Sequence, residues 1–238
     1  MANVGTVESL WRYPVKSMRG EELDEIFVAA AGVAGDRLFA FRSSAAREDF
    51  PYFTAREQRH MLRYRPRIRQ GAGGPMVDVE TPDGDTLAID DPALIERLRA
   101  GADPEHQLSL MRSARPLTDA QPVSIMSVQT ANRLAQESST EPEKRRYRAN
   151  IYIDLPSTDG FAEDLFVGRS LRIGPSLVVS VLERDVRCML ITLHPDTTAK
   201  SPVLLKQIAQ LHGGAAGIYG TVLTEGTVRK GDAVDLVD

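Results

Sequence analysis

The chain contains a single cysteine, Cys188, among its 238 residues. A lone cysteine has no partner for an intrachain disulfide, so it is either a buried apolar residue or a working thiol. Its neighbours Arg184 and Arg187 would stabilise the thiolate, the form that attacks electrophiles and binds soft metals. This segment alone supports the two interpretations about equally.

Long hydrophobic runs are missing as well. The nearest, residues 27–35, contains two glycines and is far shorter than the ~18 residues of a membrane span. The first eight residues show no basic region followed by an apolar stretch, the pattern of a signal peptide. With one cysteine and no export signal, we expect a cytoplasmic protein that is not held in a membrane.

Excess positive charge is also lacking, because the formal net charge is −4. This balance argues against nucleic acid as a partner. Among the 29 basic residues, however, 24 are arginines, and six of these lie between Arg56 and Arg69. The guanidinium group suits bidentate binding of phosphates and carboxylates. An arginine-rich composition can also reflect the source genome, so the positions of particular arginines matter more than their number.

The apolar pattern predicts mainly β structure. Predicted strands cover residues 4–12, 22–30, 37–42, 76–81, 86–89, 107–112, 150–155, 170–173, 177–183, 217–223 and 233–237, and predicted helices cover 55–65, 92–99, 127–136 and 202–211. Short strands at this spacing with few helices favour β-barrels over a doubly wound sheet. The polar, proline-bearing stretch 113–122 predicts a boundary between two β-barrel domains, residues 1–115 and 116–238.

Two segments of the first half could bind an anion. Lys16 beside Ser17 interrupts a β pattern, and a lysine next to a hydroxyl can hold an anionic group. An isolated pair of this kind is more often a solvated hairpin end. Arg37 follows Gly35 and Asp36 at the start of an apolar strand, where it could equally form an ion pair.

In the second half, Arg148 and Asn150 lie two residues apart at the head of a predicted strand, so their side chains are expected on one face. Such a pair could clamp an anion or a heterocycle. Zinc is not expected, because the potential ligands Cys188, His194, Asp196 and His212 fit no structural zinc spacing. Glycine-rich nucleotide-binding motifs are absent from the sequence.

Together these segments resemble the MOSC family in its two-part form, an N-terminal β-barrel portion joined to a MOSC core barrel. The matching motifs occur in order: Tyr13-Pro-Val-Lys-Ser17, Gly35-Asp-Arg37, Thr54-Ala-Arg56, Arg148-x-Asn150, and Arg187-Cys188 followed by Pro195-Asp-Thr197. The resemblance extends from about Val4 to Val237, and the family includes the mitochondrial amidoxime-reducing component and the bacterial YcbX-like proteins. Relatives commonly carry an aspartate and a trailing glycine around Pro-Asp-Thr, where this chain has His194 and Thr198.

The resemblance implies a site for the molybdenum cofactor. Cys188 matches the cysteine that ligates molybdenum, and Lys16 and Ser17 match positions that hold the phosphate of the pterin. The remaining residues implied near the cofactor are Arg37, Thr54, Arg56, Ser124, Ser127, Arg148, Asn150 and Arg187. Lysine, arginine and hydroxyl donors suit a phosphate dianion, and a thiophilic metal suits a thiolate.

The implied activity is reduction of N-hydroxylated compounds: amidoximes, hydroxamic acids or hydroxylamino purines. One cysteine cannot hold an iron–sulfur cluster, so electrons would come from a separate redox protein such as a flavin reductase. Two alternatives stay open. Cys188 could carry sulfur as a persulfide, with a separate desulfurase because no pyridoxal-phosphate domain fits in this chain. The chain could also be a non-catalytic carrier of the molybdenum cofactor.

Overall fold

The computed structural model describes residues 2–71 and 74–237. Its α-helices are α1 (Pro92–Arg99), α2 (Val128–Glu137) and α3 (Pro202–Leu211). Its strands are β1 (Ala2–Arg12), β2 (Glu21–Leu23), β3 (Glu25–Ala29), β4 (Gly32–Val33), β5 (Phe39–Arg47), β6 (Phe50–Phe53), β7 (Arg65–Gly71), β8 (Gly74–Glu80), β9 (Thr86–Ala88), β10 (Leu108–Arg112), β11 (Val123–Ser127), β12 (Ile151–Asp154), β13 (Ser170–Ile173), β14 (Leu177–Val186), β15 (Ala215–Thr224), β16 (Gly226–Arg229) and β17 (Ala233–Val237).

Seven strands close into a β-barrel in the order β12, β11, β15, β14, β13, β17 and β1. The first strand closes the barrel because it pairs antiparallel with both β12 and β17. Strands β11 and β12 pair in parallel, which requires a crossover connection, and α2 lies in that connection. Alternation along β1 turns Val7 into the apolar interior, which it shares with Ile125, Val179 and Ile218.

A second unit consists of the sheets β10-β5-β6 and β7-β8-β9 together with α1. Its core includes Phe41, Phe53 and Leu94. Helix α1 begins as its sequence predicts, because the Asp91 side chain accepts a hydrogen bond from the amide of Ala93, at 2.8 Å, and Pro92 occupies the first turn.

The two units meet where barrel strands end. Strand β1 leads directly into the segment that carries Lys16 and Ser17, and the Lys16 amide donates to the carbonyl of Phe39 at 2.8 Å. Strand β14 leads into Cys188. The barrel therefore delivers candidate residues from two distant parts of the chain to one junction.

The mainly β fold is confirmed, including a closed barrel, while some local predictions are wrong. Residues 22–30 are not one strand, because β2 pairs with β1 whereas β3 pairs with β16. The predicted helix 55–65 is a turn followed by a 3-10 segment, Arg59–Arg63, because the backbone at Gln58 leaves the helical region (φ −132°, ψ 89°). Strand β11 was not predicted.

The division of the chain into domains 1–115 and 116–238 stays a prediction.

Within the described residues, no helix is long and apolar enough to span a membrane.

Candidate functional site

A cavity of about 380 Å³ lies at the junction of the barrel and the second unit. Eight of the eleven site residues predicted from the sequence line it: Lys16, Ser17, Arg37, Thr54, Arg56, Arg148, Arg187 and Cys188. They come from segments far apart in the chain, so the fold and not the local sequence assembles them.

Positive charge dominates the cavity wall. Seven cationic side chains line it, Lys16, Arg37, Arg56, Arg146, Arg148, Arg184 and Arg187, against three carboxylates, Asp119, Glu183 and Asp185. A cleft with this balance concentrates anions, because its field is focused by the surrounding protein of low polarity. The cavity therefore suits a ligand that carries negative charge.

Cys188 is partly exposed and immediately precedes the 3-10 turn Met189–Thr192. The side chain of Arg56 contacts its thiol, and this contact is the largest cause that raises the pKa of Arg56 above its ordinary value. Arg56 also lies over the ring of Phe50, 5.0 Å from its centroid. The thiol therefore sits beside a cation that a distant part of the chain supplies.

The two arginines nearest to Cys188 in sequence make other contacts. Arg187 donates from Nε to the carbonyl of Ala216 and from Nη1 to the carbonyl of Tyr147, both at 2.7 Å. Arg184 donates to the carbonyl of His212 at 2.9 Å. Arg184 and Arg187 line the cavity together with Cys188, as expected from the sequence, but the side chain that contacts the thiol is that of Arg56.

Asp185 forms a buried part of the cavity wall. Its Oδ2 lies 2.9 Å from Nη2 of Arg187 and accepts a hydrogen bond from the Ser124 hydroxyl at 3.2 Å. Burial raises the pKa of Asp185 to about 6, although Arg187 and Ser124 act in the opposite direction. This carboxyl therefore changes its charge closer to neutral pH than an ordinary aspartate does.

Backbone strain is concentrated at the predicted site. Ser17, Arg37 and Arg148 have φ angles of 64°, 46° and 56°, in the left-handed region that non-glycine residues rarely adopt. They make up three of the six non-glycine residues with positive φ in the described part of the chain. Such strain persists only where the surroundings enforce it, and it is typical of functional sites.

Tyr13 organises two of these strained residues. The guanidinium carbons of Arg37 and Arg148 lie 4.7 Å and 4.3 Å from its ring centroid, and burial raises the pKa of its hydroxyl to about 12. Asp36 accepts from the Tyr13 amide at 2.7 Å and pairs with Arg37. Arg148 donates to the carbonyl of Met18 at 2.6 Å. Its pKa falls to about 10, mainly through burial.

Lys16 is buried at the opposite end of the same segment. Its ammonium group donates to Asp119 Oδ1 at 2.6 Å and to the carbonyl of Leu117 at 3.0 Å. Burial lowers the pKa of Lys16, and the ion pair with Asp119 offsets part of that effect. Thr54 lies nearby in the cavity wall, and its hydroxyl donates to Glu57 at 2.8 Å.

Three predicted residues lie behind the cavity wall. The Ser127 hydroxyl accepts from the Thr130 amide as the cap of α2 and donates to Glu163. Ser124 supports Asp185, as described above. Asn150 donates to the carbonyl of Trp11 at 3.2 Å. The predicted shared face of Arg148 and Asn150 is wrong, because β12 begins only at Ile151 and the backbone at Arg148 is left-handed.

All three carboxylates of the cavity, Asp119, Glu183 and Asp185, were missed by the sequence analysis. Asp185 lies two residues before Arg187, so strand alternation could have placed both on one face. Asp119 lies in the polar stretch between the two predicted domains, where no pattern marks it.

A group of potential metal ligands lies outside the cavity. Glu143, His194 and Asp196 offer atoms within 4.8 Å of one another. Arg145 binds both carboxylates, and His194 Nδ1 accepts from the Asp196 amide at 3.1 Å. These contacts explain the group as an ion-pair network.

Comparisons with known proteins agree with the geometry of the fold. The family model of the MOSC N-terminal beta barrel domain matches residues 4–122, and that of the MOSC domain matches residues 112–235. The chain shares its fold with YuaD from Bacillus subtilis, at a TM-score of 0.53 and 15% identity over 97% of this chain and 94% of that chain.

Similarity to YiiM from Escherichia coli is weaker, at a TM-score of 0.40 and 16% identity over 95% of this chain and 70% of that chain. Comparison with curated proteins found no match. Each of the two family models covers half of the chain, and together they span nearly all of it. The chain therefore belongs to the MOSC family.

Proposed function

We propose that this chain binds the molybdenum cofactor in the cationic cavity and reduces N-hydroxylated compounds such as amidoximes, hydroxamic acids or hydroxylamino purines. MOSC domains are molybdenum-cofactor-binding domains. The observation that carries the proposal is that the lone thiol of Cys188 opens into the same cavity as seven cationic side chains. A thiolate suits a thiophilic metal, and the cations suit a phosphate.

The donor groups of the cavity fit such a ligand. Nη2 of Arg148 is buried without a hydrogen-bond acceptor among the described residues. Buried polar groups are nearly always hydrogen-bonded in proteins, so these N–H groups of Arg148 indicate a missing acceptor. Phosphate oxygens would supply it. A volume of about 380 Å³ is also within the range of small-molecule sites.

The residues divide into two roles. Cys188 would bind the metal through its sulfur, with Arg56 against it. Lys16, Ser17, Arg37 and Arg148 would bind and orient the phosphate. When bound, the cofactor would supply the two-electron chemistry that breaks the N–O bond. The reaction consumes two electrons and two protons, converts N-hydroxy to N–H and releases the oxygen as water.

Electrons would come from a separate redox protein, such as a flavin reductase. A single cysteine cannot ligate an iron–sulfur cluster, so the described cavity offers no second redox centre of that kind. Reduction of benzamidoxime by cofactor-loaded protein with an artificial electron donor tests the activity. Product formation is expected. Fully loaded protein that reduces no N-hydroxylated substrate would instead identify a carrier of the cofactor.

A second candidate function is sulfur transfer, which the partial exposure of Cys188 and its contact with Arg56 favour. The thiol would accept a sulfur atom from the persulfide of a separate desulfurase, which returns to its thiol form. Mass spectrometry of the chain after incubation with a desulfurase and cysteine tests this reaction. A gain of one sulfur on Cys188 supports it, whereas an unmodified Cys188 contradicts it.

A further inference from the structure

One ion pair in the cavity differs from the others in how it is held. Lys16 and Asp119 lie 2.6 Å apart, but the lysine side chain is buried while that of Asp119 is 62% exposed. The ammonium of Lys16 is also 5.1 Å from the ring centroid of Tyr52. The cation is therefore fixed in the wall, and its partner reaches it from the solvent side.

The pair between Arg37 and Asp36 shows the contrast. The Asp36 side chain is fully buried, and it accepts a second hydrogen bond from the amide of Tyr13. Displacing Asp36 would leave a buried charge and a buried N–H without partners, which is strongly unfavourable. Asp119 has no comparable second bond among the described residues, so it can leave at lower cost.

The backbone around Asp119 is loosely held. The nearest anchor before it is the Leu117 amide, which donates to the carbonyl of Arg37 at 2.9 Å, and the next strand begins at Val123. Within the described residues, the amides of 118–121 donate to no backbone carbonyl. A short segment of this kind can move its side chain out of the cavity without breaking backbone hydrogen bonds.

We propose that Asp119 is a specificity-determining residue that selects dianions over monoanions at Lys16. The carboxylate of Asp119 stays paired with the ammonium of Lys16 whenever the cavity contains no ligand. A free carboxylate carries the same charge and gains nothing by replacing it, whereas a phosphate dianion interacts more strongly with Lys16 and displaces Asp119 into solvent. The inference rests on the proposed anion-binding role of the cavity.

Calorimetric titration of the full chain, produced in a host without the cofactor, tests the proposal. Inorganic phosphate and acetate are the probes. Asp119→Asn is expected to bind phosphate at least roughly tenfold more tightly than the wild type, because close charge pairs couple by more than that factor. Asp119→Asn is also expected to bind acetate, whereas the wild type is expected not to bind it. Asp85→Asn removes an equally exposed carboxylate paired with Arg97 and should change neither affinity.

Lys16→Met supplies the second arm. In that background Asp119→Asn should give no gain in phosphate affinity, because the two residues act as a pair. Asp119→Asn with wild-type affinity for both anions, or with the same gain in the Lys16→Met background, overturns the proposal. So does failure of Asp119→Asn to bind phosphate at all. If the chain binds the molybdenum cofactor but Asp119→Asn does not change the preference for phosphate over acetate, only this inference is rejected. If Asp119→Asn changes that preference as expected but the chain does not bind the cofactor, only the proposed function is rejected.

Discussion

The barrel interior and the cavity share the strands β1 and β14, yet their buried residues are of opposite kinds. Inside the barrel, side chains such as Leu10 and Val179 are apolar, fully buried and in extended strands. At the end of β14 and beyond the end of β1, Asp185 and Lys16 are buried and charged. Barrel residues therefore stabilise the fold, whereas the buried charges of the cavity are expected to reduce stability, a cost that the proposed ligand binding would explain.

The largest effect on stability is expected inside the barrel. Ile125 is fully buried and lies opposite Ile151 and Ile218 on the neighbouring strands. Ile125→Ala should lower the free energy of unfolding by about 2–5 kcal/mol in urea denaturation, because it leaves a cavity among apolar neighbours. Val186→Ala, at a side chain that is 75% exposed, is the control and should cost less than about 0.5 kcal/mol. Equal losses would contradict the assignment of the stabilising core.

Asp185 in the cavity wall is expected to lower the free energy of unfolding, whereas Ile125 in the barrel raises it. Its pKa is raised from 3.8 to about 6, so the folded state holds this proton more tightly than the unfolded state. The group therefore destabilises the protein progressively as pH rises from about 4 to about 7, by up to about 3 kcal/mol. Relative to the wild type, Asp185→Asn should gain stability over that interval. If the free energies of unfolding of the wild type and of Asp185→Asn changed with pH in parallel, Asp185 would not destabilise the protein in this way.

Ser17 separates backbone strain from binding. Ser17→Gly removes the cost of a left-handed serine and should raise the free energy of unfolding by about 1 kcal/mol. Ser17→Ala keeps the strain and should give no such gain. Both variants lose the hydroxyl and should bind inorganic phosphate more weakly than the wild type. A lower melting temperature for Ser17→Gly than for Ser17→Ala would show that the strain does not limit stability.

The smallest effect is expected away from both regions. Glu137 accepts from His212 Nε2 at 2.6 Å and joins α2 to the end of α3. Burial raises the pKa of Glu137, but His212 and Arg133 outweigh it and lower the pKa below 4.5. Glu137→Gln should cost less than about 1 kcal/mol at neutral pH, and the difference from the wild type should shrink as the pH falls through the lowered pKa of Glu137. A difference that stays the same at a pH below that pKa would contradict the pairing.

The sequence predicted local features of the fold better than it predicted the contacts of the cavity. Local signals were sufficient for α1, because Asp91 and Pro92 act within one turn. Thr54 and Glu57 have the spacing of a helix-capping pair, and the Thr54 amide donates to Glu57 at 2.8 Å. The helix does not continue, because the Gln58 side chain donates to the carbonyl of Ala100.

The cavity was only partly predictable. Family resemblance placed eight of its residues, because motifs preserve residue types along the chain. It could not show that Arg56 contacts Cys188 or that Asp119 pairs with Lys16, because these contacts join residues far apart in sequence. Left-handed backbone at Ser17 and Arg148 was equally hidden, since neither residue type favours it.

Cys188 and the cationic wall are proposed to form one cofactor site. Its most direct test is the molybdenum content of the wild type and of Cys188→Ala, both produced in a cofactor-competent host and checked for equal melting temperatures. We expect about one molybdenum per wild-type chain and its loss in Cys188→Ala. Molybdenum retained at the wild-type level by Cys188→Ala would contradict the assignment of its thiol as the metal ligand.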